Sequence, residues 1–188
     1  MGYFSESMGK TIQGDITMKH LEPMTGEDYN QHWNYTDFTD KVILDLGADY
    51  GSTAFWFLEH GAKEVIAVEM DDTYYAQLKK NTDDKVHPCH MAVTKGDDYN
   101  HLIEVWKPDI CKIDIEGYEA SLLDAVPEQI RKVPEYLIET HNADLFCSLA
   151  TMFVELGYEV KFVCHTTTFP LFGKEFSVDV LYAKCIKE

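Results

Sequence analysis

The sequence has 188 residues, which is enough for one domain with a sizeable core and too few for two domains of ordinary size. Hydrophobic residues make up 45% of the chain and aromatic residues 13%, a composition that excludes an intrinsically disordered protein. With 16 Lys and Arg against 33 Asp and Glu, the formal net charge is −17. This charge argues against nucleic-acid or anionic-membrane partners, because both attract cationic surfaces.

Targeting segments and cysteine usage indicate the compartment. No stretch approaches the roughly 18 consecutive apolar residues of a membrane span, and the N-terminus lacks the pattern of a signal peptide. The cysteines are widely spaced and form no Cys-x-x-Cys pair, so neither a disulfide framework nor a zinc site is expected. We therefore predict a reduced, cytoplasmic protein without a membrane partner.

Residues 1–40 are polar, acidic and weakly periodic. This pattern predicts loop with one short helix, packed on the domain through Tyr29, Trp33, Tyr35 and Phe38. We interpret residues 1–40 as an N-terminal extension and a candidate lid, and residues 41–188 as the ligand-binding domain.

From Lys41 onward, short apolar segments alternate with segments of helical length. The predicted strands are 42–46, 64–69, 85–89, 109–115, 135–139, 158–164 and 176–184. The predicted helices are 52–60, 71–81, 97–106, 118–133 with a kink or break at Pro127, and 144–156. Strands separated by helices predict a mostly parallel, doubly wound α/β sheet of the Rossmann-like kind. The last two strands have no helix between them, so they are predicted to be antiparallel.

Ligands of such sheets bind beyond the carboxyl ends of the strands. The first strand ends in the pattern Asp45-x-Gly47-x-x-x-Gly51, in which Gly47 permits a tight turn and close approach of the backbone to a ligand. The loop lacks the third glycine of a dinucleotide-binding loop and the Lys-Ser/Thr of a Walker A loop. Asp45 favours a cationic ligand group over a pyrophosphate. Glu69, at the end of the second strand, is suited to accept hydrogen bonds from both hydroxyls of a ribose.

The fourth and fifth predicted strands end in acid and imidazole side chains. Asp114 and Glu116 alternate with isoleucines, so they can share a face, and like charges held close raise a carboxyl pKa in a way that suits a base. Glu119 is predicted to lie in a first helical turn and to complement the helix dipole. His141 follows the fifth strand, and an imidazole titrates nearest neutrality. We predict Asp114, Glu116 and His141 as catalytic residues, with His141 as the proton acceptor.

Together these segments resemble a class I S-adenosylmethionine (AdoMet)-dependent methyltransferase of the FkbM family, over about residues 41–184. Residues 42–53 resemble the family's Asp-x-Gly-Ala-Asn-x-Gly loop, with Asp49 in place of Asn. Residues 113–119, Ile-Asp-Ile-Glu-Gly-Tyr-Glu, resemble its Asp-x-Glu-Gly-x-Glu motif closely. Residues 134–141 resemble a further segment that leads to a glutamate.

The resemblance implies a seven-stranded sheet with the last strand antiparallel, which is the class I methyltransferase fold, and AdoMet as the cofactor. Glu69 would hold the ribose, and Asp114 would lie beneath the cofactor near the acceptor. The other cofactor-binding residues implied are Asp45, Gly47, Ala48, Asp49, Gly51 and Ser52 at the methionine side and Met70, Met91 and Ala92 at the adenine.

The function predicted is O-methylation of a hydroxyl on a small molecule or sugar. Three alternatives stay open: a nucleic-acid methyltransferase of the same fold, against which the acidity counts; a nicotinamide-binding protein, which the loop composition disfavours; and a non-catalytic AdoMet-binding module. No dedicated metal site is predicted. A divalent metal held by Asp114 with Glu139, His141 or Asn142 is a further alternative, because hard oxygen ligands suit Mg²⁺.

Overall fold

The computed structural model describes residues 28–163, 169–171, 174–176 and 179–186. The strands of this part of the chain are β1 (Val42–Leu46), β2 (Glu64–Glu69), β3 (Val86–His90), β4 (Ile110–Ile113), β5 (Glu135–Thr140), β6 (Tyr158–Val163), β7 (Phe169–Leu171), β8 (Lys174–Phe176) and β9 (Asp179–Cys185). The helices are α1 (Tyr29–His32), α2 (Ser52–Glu59), α3 (Asp72–Asn81), α4 (Gly96–Trp106), α5 (Pro127–Ile130) and α6 (Ala143–Glu155), with a 3₁₀ helix over Glu119–Asp124.

Seven strands form one sheet in the order β3-β2-β1-β4-β5-β9-β6. Strands β1 to β5 pair in parallel, and β9 runs antiparallel to both of its neighbours, β5 and β6. The predicted doubly wound α/β fold, with seven strands and the last one antiparallel, is confirmed. The short strands β7 and β8 pair with each other as a separate antiparallel hairpin, in the part of the sequence that connects β6 to β9.

The sheet buries a core on each face because successive residues of a strand point to opposite sides. In β1, Leu44 and Leu46 join the core beneath α4, the 3₁₀ helix and α6, whereas Ile43 joins the core beneath α1 and α2. Trp33 and Phe38 are almost fully buried in the core beneath α1 and α2. Residues 28–38 therefore pack on the sheet as part of the domain. Residues 1–27 lie outside the described residues, and the lid stays a prediction.

The segment predicted as a helix over 118–133 is not one α-helix. The segment instead holds a 3₁₀ helix and the four-residue helix α5, separated by extended backbone at Ala125 and Val126. Proline disfavours helical backbone in the residue before it, so Pro127 forces Val126 out of the helix and then begins α5. A kink or break was predicted at Pro127, and the break is confirmed: it separates the 3₁₀ helix from α5.

The end of the chain also differs from prediction. The strand predicted to begin at Phe176 begins at Asp179, and Phe176 instead ends β8.

Cys89, Cys111, Cys147 and Cys185 are free thiols, whereas Cys164 lies outside the described residues. Within the described ranges, no helix has both the length and the apolar character needed to cross a membrane.

Candidate active site

A cavity of about 350 Å³ opens beyond the carboxyl ends of β1, β2 and β4. This is where the strand order reverses and where doubly wound sheets bind ligands. Seven of the residues predicted for the site line it, namely Gly47, Asp49, Glu69, Met70, Met91, Asp114 and Glu116. Six others do not line it, namely Asp45, Ala48, Gly51, Ser52, Ala92 and His141.

The loop after β1 lies directly against the end of β4. Gly47 has a φ of +79°, and a Cβ atom at this position would lie 1.7 Å from the carbonyl oxygen of Asp114. The amides of Gly47 and Ala48 both donate to the carbonyl of Val68, at 3.0 and 3.1 Å. The loop is thereby held between β2 and β4, and no residue other than glycine fits at position 47 without displacing the backbone.

Glu69 ends β2 with a carboxylate that the backbone holds in place. Its Oε2 accepts a hydrogen bond from the amide of Asp49 at 2.9 Å, and its Oε1 accepts one from the amide of Asp71 at 2.7 Å. The side chain lines the cavity although the residue is only 6% exposed. Each carboxylate oxygen keeps a second lone pair, so two further donors can be bound without loss of the first two.

Asp45 and Lys112 form a buried ion pair behind this loop. They are register partners on β1 and β4, and Lys112 Nζ lies 3.1 Å from Asp45 Oδ1 with both side chains fully buried. Thr53 donates to the other Asp45 oxygen at 2.6 Å. Lys112 also donates to the Gly47 carbonyl at 2.8 Å and lies over the ring of Trp33. Asp45 thus stabilises the loop through Lys112, and it does not line the cavity.

Charge is retained at Lys112 despite its burial. Burial alone lowers the pKa of an ammonium group, but the nearby carboxylates of Asp45, Asp114 and Asp49 outweigh it and raise the pKa of Lys112. Asp49 faces the opposite balance. Burial raises the pKa of Asp49 to about 7. The attraction of Lys112 would lower this pKa, but the carboxylates of Asp114 and Glu69 offset it.

The turn between β4 and the 3₁₀ helix is held by Glu119. Its Oε1 accepts hydrogen bonds from the amides of Ile115 and Gly117, both at 3.1 Å, and the residue is fully buried. Burial opposes ionisation here, but the neighbouring His141 and the Gly117 amide lower the pKa of Glu119 below its usual value. Glu119 lies in the first turn of the 3₁₀ helix, as predicted, and its carboxylate also fixes the turn that carries Glu116, whose φ is +52°.

His141 lies beside the cavity, among carboxylates. Its Nδ1 is 3.4 Å from Glu119 Oε1, and its Nε2 is 3.5 Å from Glu116 Oε2 and 3.6 Å from Glu139 Oε1. Glu119, joined by Glu139 and Asp114, raises the pKa of His141 to about 9, although partial burial opposes this. At neutral pH the imidazolium form prevails, and this form cannot accept a proton.

Several residues of the site were not predicted. Tyr29, Thr53 and Lys112 line the cavity, and the Tyr29 hydroxyl is hydrogen-bonded to Ser52 Oγ at 2.8 Å. Lys112 stands between apolar residues of a strand that is buried throughout, and a charged residue at such a position is a signal for a buried partner. Tyr29 carries no comparable signal, because only folding brings α1 to the first turn of α2.

The sheet order and the strand-end cavity define the class I methyltransferase fold, and similarity to solved structures agrees with this. The structures include a precorrin-6y C5,15-methyltransferase from Geobacter metallireducens, with a TM-score of 0.55 and 20% identity over 79% of this chain and 81% of that chain. A candidate RNA methyltransferase from Pyrococcus horikoshii has a TM-score of 0.62 and 21% identity, over 80% and 77%. Fibrillarin from Aeropyrum pernix, solved with S-adenosyl-L-methionine, has a TM-score of 0.54 and 18% identity, over 77% and 66%.

Two viral proteins are similar to this chain in sequence. Uncharacterized protein 158B of Sulfolobus islandicus rod-shaped virus 1 is 30% identical over 106 residues, which make up 56% of this chain and 64% of that protein. Uncharacterized protein 65 of Sulfolobus islandicus filamentous virus is 29% identical over 118 residues, which make up 61% and 68%. The matches thus span about two thirds of the viral proteins. No protein-family model matches the sequence, so membership of the FkbM family stays a prediction.

Proposed function

We propose that this protein is an AdoMet-dependent methyltransferase that methylates a hydroxyl group on a small molecule or a sugar. The observation that carries the proposal is the Glu69 carboxylate, fixed by two backbone amides at the edge of the cavity of a class I methyltransferase fold. A carboxylate at the end of the second strand is the group that holds the two hydroxyls of a ribose.

The cavity's charge and its apolar surface suit AdoMet. Its carboxylates face a ligand that carries a positive sulfonium and a positive ammonium group, and Lys112 is the cation among the lining residues. Met70 and Met91 offer polarisable, apolar surface for an adenine ring, next to the ribose-binding position. The acidity also disfavours an approaching nucleic acid, whose phosphates the cavity would repel.

Methyl transfer from a sulfonium is an in-line displacement in which AdoMet supplies an activated methyl group. The residues of this chain then have to align the acceptor and take its proton as it attacks. Asp114 and Glu116 line the cavity and are the proton acceptors we propose. For His141, whose Nε2 lies 3.5 Å from Glu116 Oε2 and whose pKa is raised, we propose a different part: in the metal-free protein it is a cation that orients these carboxylates.

Binding of AdoMet is the first test of this function. A ligand at 100 times its dissociation constant stabilises the folded state by about 2.7 kcal/mol. We expect a clear rise in melting temperature with AdoMet and none with NAD at equal concentration, measured by differential scanning fluorimetry. A rise with NAD and none with AdoMet would contradict the proposal.

The acceptor class is tested on the same preparation with AdoMet labelled in the methyl group. A pool of sugars and hydroxylated small molecules is compared with total RNA. Label recovered in the small molecules as a methyl ether supports hydroxyl methylation. Label recovered in RNA would show that the acidic cavity does not govern acceptor choice, and it would replace the proposed acceptor with a nucleic acid.

Replacing Glu69 with alanine is expected to weaken AdoMet binding by about 1.5–3 kcal/mol, the usual contribution of hydrogen bonds to a charged group. The measurement is isothermal titration calorimetry with AdoMet and with an analogue that lacks both ribose hydroxyls. The analogue should bind the wild type much more weakly than AdoMet does, and it should bind the variant almost as well as AdoMet does. Glu64→Ala, at the other end of β2, is the control and should leave both affinities unchanged. An equal response of wild type and Glu69→Ala to loss of the hydroxyls excludes a contact with the ribose.

A further inference from the structure

Three side chains at the carboxyl ends of β4 and β5 each place one donor atom within 4.8 Å of the others: Asp114, Glu139 and His141. We propose that they bind a divalent cation of the Mn²⁺ type at the acceptor side of the cavity. The binding of the cation is independent of the proposed function, and its role in methyl transfer rests on that function.

The donor set suits a cation that accepts both oxygen and nitrogen. Carboxylates suit Mg²⁺ and Mn²⁺, and an imidazole extends the preference to transition metals. Ligands that share one ion at about 2.1 Å lie roughly 3 Å apart, so the three side chains have to move inward slightly. Asp114 and His141 are free to do so, because their side chains are 22% and 23% exposed.

His141 is oriented as a metal-binding histidine is, and the ion replaces its second ring proton, because a histidine ligand coordinates as the neutral imidazole. Its Nδ1 lies 3.4 Å from Glu119 Oε1, and Glu119 is itself held by the amides of Ile115 and Gly117. Its Nε2 points to the side of Glu139 and Glu116. A histidine ligand characteristically has one ring nitrogen on the metal and the other on a carboxylate or a carbonyl, and the outer carboxylate fixes the ring.

Glu139 has a corresponding support. Nε2 of His32, in α1, donates to Glu139 Oε2 at 2.6 Å, and both residues are buried. The second oxygen, Oε1, faces His141 at 3.6 Å. Two of the three proposed ligands thus have a buried partner that sets their direction, and the third, Asp114, reaches both this cluster and the cavity.

The excess negative charge of the cluster also favours the binding of a cation. Four carboxylates meet here, from Asp114, Glu116, Glu119 and Glu139. Lys112 lies 3.7 Å from Asp114, but its ammonium is already engaged by Asp45 and the Gly47 carbonyl. A dication offsets the excess negative charge, and a hydroxyl beside a divalent cation loses its proton more readily. With Asp114 bound to the ion, Glu116 is the cavity carboxylate that takes this proton.

The test is a titration of the metal-free protein with Mn²⁺, with the free ion followed by electron paramagnetic resonance. The wild type should bind one ion much more tightly than the weak sites of an acidic surface. Asp114→Asn and His141→Gln should each lower this affinity by at least tenfold, and Glu119→Gln should lower it by roughly 10–100-fold, as the loss of outer carboxylates does. Circular dichroism establishes that each variant is folded.

His87→Gln is the matched control. Its imidazole also meets a carboxylate, Glu64 at 3.0 Å, but in a half-exposed pair remote from the cavity. This variant should bind Mn²⁺ as the wild type does. Equal affinity in the wild type, Asp114→Asn and His141→Gln would overturn the proposal and place the ion on the acidic surface.

Failure of this site and failure of the proposed function are distinguishable. Mn²⁺ binding that depends on Asp114 and His141 supports the cation site whether or not AdoMet raises the melting temperature. AdoMet binding in a protein that shows no such Mn²⁺ site overturns the cation proposal alone.

Discussion

Replacing Lys112 with methionine is expected to destabilise the protein by about 3–5 kcal/mol, because it leaves the carboxylate of Asp45 buried without its cation. Asp45 is fully buried, and Lys112 Nζ is 3.1 Å away. The substitution keeps the length and the apolar stem of the side chain, so the lost charge dominates the effect. The measurement is the free energy of unfolding from urea denaturation.

Two controls separate this effect from the loss of an ordinary lysine. The double variant Asp45→Asn/Lys112→Met removes both charges and should recover a large part of the stability, since replacing a buried pair by neutral groups costs less than breaking it. Lys63→Met, at a pair with Glu64 in which the lysine side chain is 63% exposed, should change stability by less than about 1 kcal/mol. A loss at Lys112→Met no larger than that at Lys63→Met would contradict a buried ion pair.

Replacing Gly47 with alanine is expected to prevent stable folding or to abolish AdoMet binding. The added Cβ would lie 1.7 Å from the Asp114 carbonyl oxygen, so the loop and the end of β4 have to separate. That movement breaks the lining of the cavity on both sides. Thermal unfolding and AdoMet titration measure the two consequences.

Gly117→Ala is the matched control for backbone strain. Gly117 has a φ of +100°, similar to that of Gly47, but a Cβ atom there meets no atom within 4 Å. Its replacement should cost only the roughly 1–2 kcal/mol of placing a side chain in the left-handed region. Equal losses in the two variants would show that the loop does not depend on its close approach to β4.

Local sequence patterns predicted most of the sheet. The strands at 42–46 and 64–69 are short apolar segments between turn residues, and both occur where predicted. At 118–133 the pattern predicted the break at Pro127 but not the 3₁₀ geometry of the residues that precede it. There the backbone restriction imposed by proline outweighs the periodicity, and the 3₁₀ helix packs against α4 and α6 instead of continuing.

The candidate site was predictable to the extent that strand ends bring it together. Gly47, Glu69 and Asp114 follow three strands of a parallel sheet, so they meet at one edge by geometry alone. The partner of Glu139 was not predictable, because His32 lies 107 residues earlier in a segment with weak periodicity. No local pattern indicates such a contact.

The sequence by itself determined the alternation of strands and helices, the reversed last strand and the strand ends that carry the acids, since these follow from periodicity and chain order. Only the tertiary structure decided which partner Asp45 has and which charge Lys112 and His141 carry. Each depends on the distance to charges from other elements and on exclusion from water, and the sequence encodes neither quantity locally. Asp45 is a partner of Lys112 and not a cavity residue, and His141 is a cation among carboxylates, because folding brought those groups within 4 Å.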